Sequence, residues 1–320
     1  MTLRIHRAGL AAALLLALFS SQRGLAYASE RATAPEPGRP HGQARTAPAH
    51  KSPAGARGAA WRGGGVVAQA TGRVFFTLDK MRYACSGAVI GPGLVITAAH
   101  CVSDGSGGWA DDWTFVPGYA AGKAPFGVYR AQTIYVSSDW ASGADPGSDV
   151  AFVKIVPAGQ ATATAPAQAN ASALPVSFGR NPAGRRQAYV FGYPAAPPYT
   201  GRTLDYCAGQ VRPDPYGGAD NGLPCAMTEG DSGGPWLSGF DPATGTGVIT
   251  GVTSFKYTGQ GRMLYSPVLG DMAHKLYAAA TGQDSPEISR AKAKSLLVRP
   301  PAEWVDSVSV TVSQEISASG

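Results

Sequence analysis

Three short motifs in this chain contain the residue types of a nucleophilic catalytic site. Gly230-Asp231-Ser232-Gly233-Gly234-Pro235 places a serine between glycines, Thr97-Ala98-Ala99-His100-Cys101 supplies an imidazole, and Gly147-Ser148-Asp149-Val150-Ala151 supplies a carboxylate. A serine hydroxyl is a weak nucleophile until a neighbouring base takes its proton, and neutral imidazole can do so near pH 7. The motifs therefore predict Ser232 as the nucleophile and His100 as its general base.

The glycines around Ser232 and the distribution of histidines support these roles. The N–H groups of Gly230 and Ser232 can point at one spot, where they would hold a developing oxyanion. Of the five histidines, His6, His41 and His50 lie in the first fifty residues, which leaves His100 and His274. We therefore assign the base to His100 and the oxyanion hole to Gly230 and Ser232.

The order His100, Asp149, Ser232 and the three motifs resemble those of chymotrypsin-like serine proteases, over roughly Val66 to Ala280. Within that family, the chain most resembles the bacterial glutamyl-endopeptidase-like and trypsin-like enzymes. Asp149 opens the apolar run Val150 to Val156, as in the family's aspartate motif, so the resemblance assigns it to orient His100; Asp139 and Asp145 are nearby alternatives. The resemblance implies a serine endopeptidase that forms an acyl-enzyme on a polypeptide substrate, with no cofactor and no metal ion.

The resemblance also implies a substrate pocket. Its expected residues are Ala226, Met227, Thr253, Ser254 and Phe255. Trypsin-like enzymes carry an aspartate where this chain has Ala226, so cleavage after Arg or Lys is not expected. Glutamyl endopeptidases carry a histidine where it has Thr253, so glutamate preference is not expected either. Met227, Thr253 and Met263 would narrow an apolar pocket, which favours small or medium apolar residues at the cleavage site.

Two further features follow from the same resemblance. The cysteine after the catalytic histidine is expected to pair as Cys85–Cys101, which leaves Cys207–Cys225 for the second disulfide. In the family, the aspartate before the nucleophile is buried against a cation. Here that cation is either a new N-terminus formed by cleavage near Arg62 to Val67 or an internal arginine, and the candidates are Arg180, Arg185 and Arg186.

The elements that must position these residues are mostly strands. Short β-branched and aromatic runs separated by turn signals, with no βαβ alternation, predict an all-β chain. The resemblance makes this two antiparallel six-stranded β-barrels, over about 66–160 and 175–270, with a C-terminal helix at Asp271 to Ala280. Leu94 to Thr97 forms a strand that ends just before His100, so the base lies on a loop held by a rigid sheet.

The two ends of the chain differ in composition from its middle. Arg4 and Arg7 precede an apolar run, Ala8 to Phe19, and Ala26-Tyr27-Ala28 fits a cleavage site, so residues 1–28 predict a signal peptide and an exported, extracellular protein. Residues 29–65 predict a flexible leader or propeptide. Residues 281–320 form an extension of unknown role, in which Pro286 to Leu297 fits a helix.

Charge and composition exclude several classes of function. The formal net charge is +6, but residues 1–65 carry nine basic and two acidic residues, so residues 66–320 have a net charge of −1. That region therefore lacks the basic footprint of a nucleic-acid-binding protein. No segment after the signal is apolar enough to span a membrane, and we expect a monomer. Asp111-Asp112 could bind calcium, but exposed paired aspartates usually need no ion.

Two other functional classes compete with a protease. Gly230 to Gly234 also fits the G-x-S-x-G elbow of α/β-hydrolase esterases, with Asp271 and His274 following in order. Against this, Pro235 follows the serine too closely for a helix, and the chain shows no α/β alternation. The second alternative is a catalytically silent or zymogen-locked binding protein on the protease fold, although such proteins usually lose a member of the triad.

Overall fold

The computed structural model describes residues 57–158, 171–179, 187–259 and 262–282, together with the backbone of two strands at 288–292 and 315–316. The strands, in chain order, are β1 Ala59–Ala60, β2 Thr71–Leu78, β3 Met81–Gly91, β4 Leu94–Thr97, β5 Asp111–Pro117, β6 Tyr129–Ser137, β7 Ala151–Pro157, β8 Gln187–Gly192, β9 Asp205–Gln210, β10 Arg212–Pro213, β11 Asn221–Pro224, β12 Pro235–Asp241, β13 Thr246–Val252, β14 Lys256–Tyr257, β15 Met263–Ser266, β16 Ile288–Lys292 and β17 Glu315–Ile316. The helices are α1 Gly65–Ala70, α2 Ser138–Gly143 and α3 Asp271–Thr281. The fold is therefore mostly β, as the composition predicts.

Strands β2 to β7 close into a six-stranded antiparallel barrel. The ladder runs β5-β2-β3-β4-β7-β6, and β6 pairs with β5 to complete the circle. Side chains on one face of these strands, Val74, Val95, Phe115, Ile134 and Val153, share the barrel interior and are almost fully buried. A closed barrel has no free strand edge within it, and its apolar core holds the strand ends in fixed positions.

The second half of the described chain contains two sheets. One has the order β1-β9-β8-β12-β13, and the other has the order β10-β11-β15. Among the described residues no ladder joins the two sheets, so the second closed six-stranded barrel that we expected is not confirmed. Pro213 and Pro224 end strands β10 and β11, and proline has no N–H to extend a ladder.

Two parts of the chain depart from the sequence-based expectations. Residues 288–292 form a strand antiparallel to β6, whereas we expected a helix over Pro286 to Leu297. Strand β5 pairs with β6 only at Tyr129 and Arg130, so β6 has unpaired backbone groups beyond them on that side, and such a tertiary partner overrides weak local helix propensity. Trp61 is 8% exposed and makes edge-to-face contacts with Phe191, Tyr206 and Phe240, so packing begins upstream of Val66.

The C-terminal helix and the tail complete the description. Helix α3 covers Asp271–Thr281, close to the helix expected at Asp271 to Ala280, and it ends at Gly282 with φ 101°. Strand β17 pairs in parallel with β14. Within the described ranges, no helix is long and apolar enough to cross a membrane.

Candidate active site

His100 and Asp149 meet at the rim of the closed barrel. His100 lies in a 3₁₀ turn, Ala99–Cys101, one residue after β4, and Asp149 lies two residues before the start of β7, the strand paired with β4. The Nδ1–H of His100 donates to Asp149 Oδ2 at 2.7 Å, and the backbone N–H of His100 donates to Asp149 Oδ1 at 2.8 Å. The carboxylate thereby fixes the tautomer in which Nε2 carries a lone pair.

Electrostatics favour an ion pair at this contact whenever His100 is protonated. Burial opposes the charged form of His100, but Asp149 outweighs it and raises the imidazole pKa above its usual value. Burial likewise opposes the Asp149 carboxylate, but His100 and the hydrogen bond from Ser254 outweigh that effect and lower its pKa. Asp149 is therefore ionised near neutral pH although no part of it is exposed.

Backbone hydrogen bonds attach the Ser232 loop to both halves of the chain. The carbonyl of Ser232 accepts from the N–H of Ser86 at 2.7 Å, and the N–H of Gly233 donates to the carbonyl of Thr253 at 2.7 Å. The Cys85–Cys101 disulfide joins the residue before Ser86 to the residue after His100. Ser232 is thus held beside the turn that carries His100.

Two N–H groups of this loop have no acceptor. Asp231, Gly233 and the next glycine donate their N–H groups to backbone carbonyls, whereas in the described part of the chain those of Gly230 and Ser232 donate to none. The Gly230 backbone has φ 98°, a conformation that strongly favours glycine, and its carbonyl accepts from the Ser86 hydroxyl at 2.8 Å. These are the two donors that the sequence predicts for an oxyanion hole.

Asp231 is a buried carboxyl group that forms no ion pair among the described residues. It is 2% exposed, and its Oδ2 accepts no hydrogen bond there. Burial raises its pKa to about 7, and Lys256 opposes that rise only in part. The arginines expected as candidates, Arg180, Arg185 and Arg186, lie outside the described residues, so their pairing with Asp231 stays a prediction.

A pocket of about 950 Å³ lies next to the residue six positions before Ser232. Its walls are formed by Arg57, Gly58, Pro198, Tyr199, Ala226, Gly259, Arg262 and Met263. Of the five expected pocket residues, Ala226 alone lines it among the described residues, together with Met263, which was expected to narrow an apolar pocket. Met227 is fully buried, and Thr253 accepts a hydrogen bond from the indole of Trp236. Phe255 stacks on Tyr265, and Ser254 bonds to Asp149.

Sequence reasoning missed two basic side chains at this pocket, because Arg57 and Arg262 both line it. A third cation, Lys256, is outside the lining, and its Nζ donates to the carbonyl of the buried Met227 at 2.5 Å. Arg57 falls in the segment that the composition predicts to be a leader, so nothing in the sequence connects it with Ala226. Lys256 follows Ser254 by two residues, and this spacing is the only feature of the sequence that could have connected Lys256 with the site.

The two predicted disulfides are present, and one of them bears on metal binding. Cys85 is bonded to Cys101, and Cys207 is bonded to Cys225. Cys85, His100 and Cys101 place possible ligand atoms close together, but both sulfurs are consumed by the disulfide bond and cannot act as thiolate ligands. The Asp271–His274 pair of the esterase alternative lies in α3, and the Ser232 loop leads into strand β12 instead of a helix, so that alternative is wrong.

Comparisons with known proteins agree with this architecture. A family model described as Trypsin matches residues 62–269. The solved structure of protease Anisep from Arthrobacter nicotinovorans is 34% identical with a TM-score of 0.58, and the match covers 66% of this chain and 95% of that one. Two shorter matches join 73 residues to an extracellular metalloprotease of Bacillus subtilis at 33% identity and 60 residues to a glutamyl endopeptidase of Bacillus licheniformis at 38% identity. They cover 23% and 18% of this chain, and 23% and 19% of those relatives.

Proposed function

The chain belongs to the trypsin family of chymotrypsin-like serine proteases, and from that premise we propose that it is a secreted serine endopeptidase with the triad His100, Asp149 and Ser232. The observation that carries the proposal is the pair of hydrogen bonds by which Asp149 holds the backbone and the ring of His100. A buried carboxylate that fixes an imidazole tautomer beside a serine loop is the arrangement that activates a serine nucleophile.

The proposed mechanism has two stages, acylation of Ser232 and hydrolysis of the acyl-enzyme, and His100 transfers the proton in both. His100 Nε2 takes the proton of Ser232 Oγ while that oxygen attacks the scissile carbonyl, and Asp149 stabilises the imidazolium that forms. The tetrahedral oxyanion accepts hydrogen bonds from the N–H groups of Gly230 and Ser232, which have no other acceptor in the described part of the chain. His100 then protonates the leaving amine, and a water molecule attacks the acyl-enzyme by the same steps in reverse.

The experiment is intact mass spectrometry of the secreted protein with a fluorophosphonate probe. We expect one adduct on the wild type, none on Ser232→Ala, and one on the matched control Ser238→Ala, whose serine bonds to Thr250 away from the site. No adduct on a processed chain would favour the silent binding protein. No adduct on a chain that retains residues 29–65 would favour a zymogen.

The same masses test the proposed organisation of the chain. We propose that residues 1–28 are removed as a signal peptide, that residues 29–65 act as a leader of the protease domain at 66–280, and that the protein is a monomer outside the cell. The mass of the secreted form gives the first residue directly. It also shows whether Arg57, which lines the pocket, remains attached to the mature enzyme.

The charges at the pocket favour a substrate side chain with a carboxylate. Arg57 and Arg262 line the pocket, and no acidic residue of the described chain lines it. An acidic side chain would neutralise part of this charge, whereas a lysine or arginine side chain would be repelled. One of the relatives with a short local match is named a glutamyl endopeptidase. The apolar preference expected from the sequence stays a competing prediction.

A peptide panel that varies only the residue before the cleaved bond separates these preferences. We expect the Glu peptide to exceed the isosteric Gln peptide by about tenfold or more in kcat/KM, because that ratio corresponds to about 1.4 kcal/mol of transition-state binding. Arg262→Met should reduce the ratio, and Arg82→Met, at an exposed position on strand β3, should not. Preference for a Leu peptide would support the apolar alternative.

A further inference from the structure

Arg73, on strand β2, is a buried cation that forms no ion pair among the described residues. It is 2% exposed, and neither Nε nor Nη1 donates to an acceptor in the described part of the chain. Its guanidinium carbon lies 4.9 Å from the ring centre of Phe75 and 5.3 Å from that of Tyr119. Aromatic faces offset part of the cost of burying a charge, but they leave the N–H groups in the guanidinium plane without acceptors.

Two buried hydroxyl groups lie beside Arg73. Thr71 precedes Arg73 by two residues on the same strand, so both side chains project from the same face of the barrel. Thr71 is fully buried, and its Oγ1 makes no hydrogen bond within the described ranges. Tyr119 is 3% exposed, its ring lies against the guanidinium, and its hydroxyl interacts with Arg73. Both hydroxyls can donate a hydrogen bond to a ligand.

The local charge has the sign that suits an anion. Among the described residues, no acidic side chain forms an ion pair with Arg73, and a second cation, Arg202, lies close enough to disfavour its charge. Burial lowers the pKa of Arg73, with the neighbouring Tyr119 and Tyr193 opposing that shift. An arginine still keeps its proton at physiological pH, so a positive charge remains here that no described group balances.

We propose that Arg73, Thr71 and Tyr119 form a binding site for a small inorganic anion of the chloride class. The guanidinium supplies the charge, and the two hydroxyls supply neutral donors. The near-complete burial of all three residues restricts the ligand to one or a few atoms. Gly201, which has φ 66°, brings backbone close to this site, because a Cβ at that position would lie 2.7 Å from Arg73 Nη2.

The segment from Tyr193 to Gly201 connects this anion site with the oxyanion loop. At one end, Gly201 lies against Arg73, and Tyr193 packs its ring 5.8 Å from that of Tyr119. At the other end, the N–H of Ala195 donates to the carbonyl of Glu229 at 2.6 Å. The Ser86 hydroxyl accepts from the N–H of Tyr193 and donates to the carbonyl of Gly230.

A bound anion would therefore stabilise the chain segment that supports Gly230. We expect it to raise thermal stability and also the reactivity of Ser232. The second effect rests on the proposed function, because it needs Gly230 to serve the oxyanion hole. The first effect depends only on the anion site, so the two are measured separately.

The test compares sodium chloride, bromide and gluconate at constant ionic strength and pH on the full secreted protein. In the wild type, chloride and bromide should raise the unfolding temperature by several degrees over gluconate and increase the rate of fluorophosphonate labelling severalfold. Arg73→Met should lose both responses, whereas Arg82→Met, an exposed arginine on the neighbouring strand β3, should keep them. Anomalous diffraction from a bromide-soaked crystal should show a peak at Arg73.

The outcomes separate the anion site from the proposed catalytic role. Equal unfolding temperatures in all three salts, with no anomalous peak at Arg73, would overturn the proposal and assign the free donors to water. This comparison uses the wild type alone, so it stands even if Arg73→Met does not fold. A thermal response without any labelling of Ser232 would support the anion site while refuting the proposed nucleophile.

Discussion

The hydroxyl of Ser254 donates a 2.5 Å hydrogen bond to Asp149 Oδ2, the same oxygen that accepts the Nδ1–H of His100. The other oxygen of Asp149 accepts the backbone N–H of His100. This fully buried carboxylate is therefore held by three donors from two different regions of the chain. The segment Thr253 to Phe255, which the family resemblance assigns to the substrate pocket, thus also holds Asp149, the residue that orients His100.

Replacing Ser254 by alanine should weaken this arrangement. A hydrogen bond to a charged group contributes about 1.5–3 kcal/mol, so we expect the free energy of unfolding to fall by about that amount at pH 7. The lowered pKa of Asp149 stabilises the fold above the carboxyl's unfolded pKa, and this contribution is lost as pH falls through its folded pKa. Urea unfolding should show that Ser254→Ala loses stability at a higher pH than the wild type.

Ser238→Ala is the matched control for this measurement. Ser238 shares a hydrogen bond with Thr250 and has no contact with Asp149 in the described residues. Its loss should leave the pH dependence unchanged. If Ser254→Ala and Ser238→Ala give the same acid-side profile, the hydroxyl of Ser254 does not stabilise the Asp149 carboxylate.

Asp149→Asn should lower kcat by a factor on the order of 10⁴, because an amide in place of the carboxylate favours the wrong tautomer of His100. The structure supplies a control in Asp145, which bonds to the Ser148 hydroxyl and not to His100. Asp145→Asn should therefore retain near-normal kcat. A near-normal rate in Asp149→Asn would return the orienting role to Asp145 or Asp139. Steady-state kinetics on one peptide substrate is sufficient.

Motif order and strand patterns could predict much of this site, because the motifs are local. His100 follows a strand and Asp149 precedes one, and the two strands pair, so the contact between these residues follows from short stretches of sequence. The pocket could not be predicted in the same way. Arg57 and Arg262 come from distant segments with no motif, and their meeting at Ala226 depends on the packing of the whole second half.

The fold could likewise be predicted where the local sequence pattern is strong. The strands of the closed barrel and helix α3 have strong local patterns. Residues 288–292 do not, because they form a strand through the free edge of β6 and not through their own propensity. A cation that pairs with Asp231 could not be predicted from the sequence either, since its identity would depend on where a distant chain segment lies.

The pKa of His100 should lie above 6.5 in the folded protein, because Asp149 outweighs the effect of burial. A raised pKa stabilises the fold at pH values below the unfolded pKa, and this contribution is lost as pH rises through the folded pKa. Activity should change in the opposite direction, since only neutral His100 can accept the proton of Ser232. The rate of fluorophosphonate labelling should thus rise with a midpoint above pH 6.5.

Imidazole NMR of His100 in Ser232→Ala provides an independent check. Adding Asp149→Asn should lower the pKa of His100 relative to Ser232→Ala alone, because the carboxylate that most opposes the effect of burial is then removed. A labelling rate that is flat from pH 5 to 8 would contradict a histidine base.

Asp231→Asn should stabilise the described form of the protein near neutral pH. The carboxyl of Asp231 has a pKa of about 7 because it is buried, so ionising it costs free energy that an amide avoids. For an acid whose pKa is raised by folding, stability falls as pH rises from the unfolded pKa of about 4 to the folded value. In urea unfolding, the free energy of unfolding of the variant should therefore increase relative to that of the wild type between pH 4 and 7.

The opposite result would locate a missing cation. If the wild type is more stable than Asp231→Asn at pH 7, the carboxylate is ionised and paired. Substitution of Arg180, Arg185 and Arg186 one at a time, together with the mass of the N-terminus, would then identify its partner.

The two disulfides should contribute equally to stability but differently to chemistry. They join residues 16 and 18 positions apart, so the chain-entropy model gives about 3 kcal/mol for each. Cys85 precedes Ser86, whose N–H donates to the carbonyl of Ser232, and Cys101 follows His100. The Cys85–Cys101 disulfide therefore links the support of the nucleophile to the turn that carries the base. Replacing that pair by alanines should therefore slow the labelling of Ser232 severalfold under conditions where the protein remains folded.

The Cys207–Cys225 pair is the matched control, because Cys225 precedes Ala226 at the pocket and is remote from His100 in sequence. Replacing it should cost a similar free energy of unfolding but leave the labelling rate of Ser232 unchanged, since the small probe needs no pocket. Its effect should appear in the KM of peptide substrates. Equal losses of labelling in both variants would mean that Cys85–Cys101 acts only on global stability and not on the position of His100 relative to Ser232.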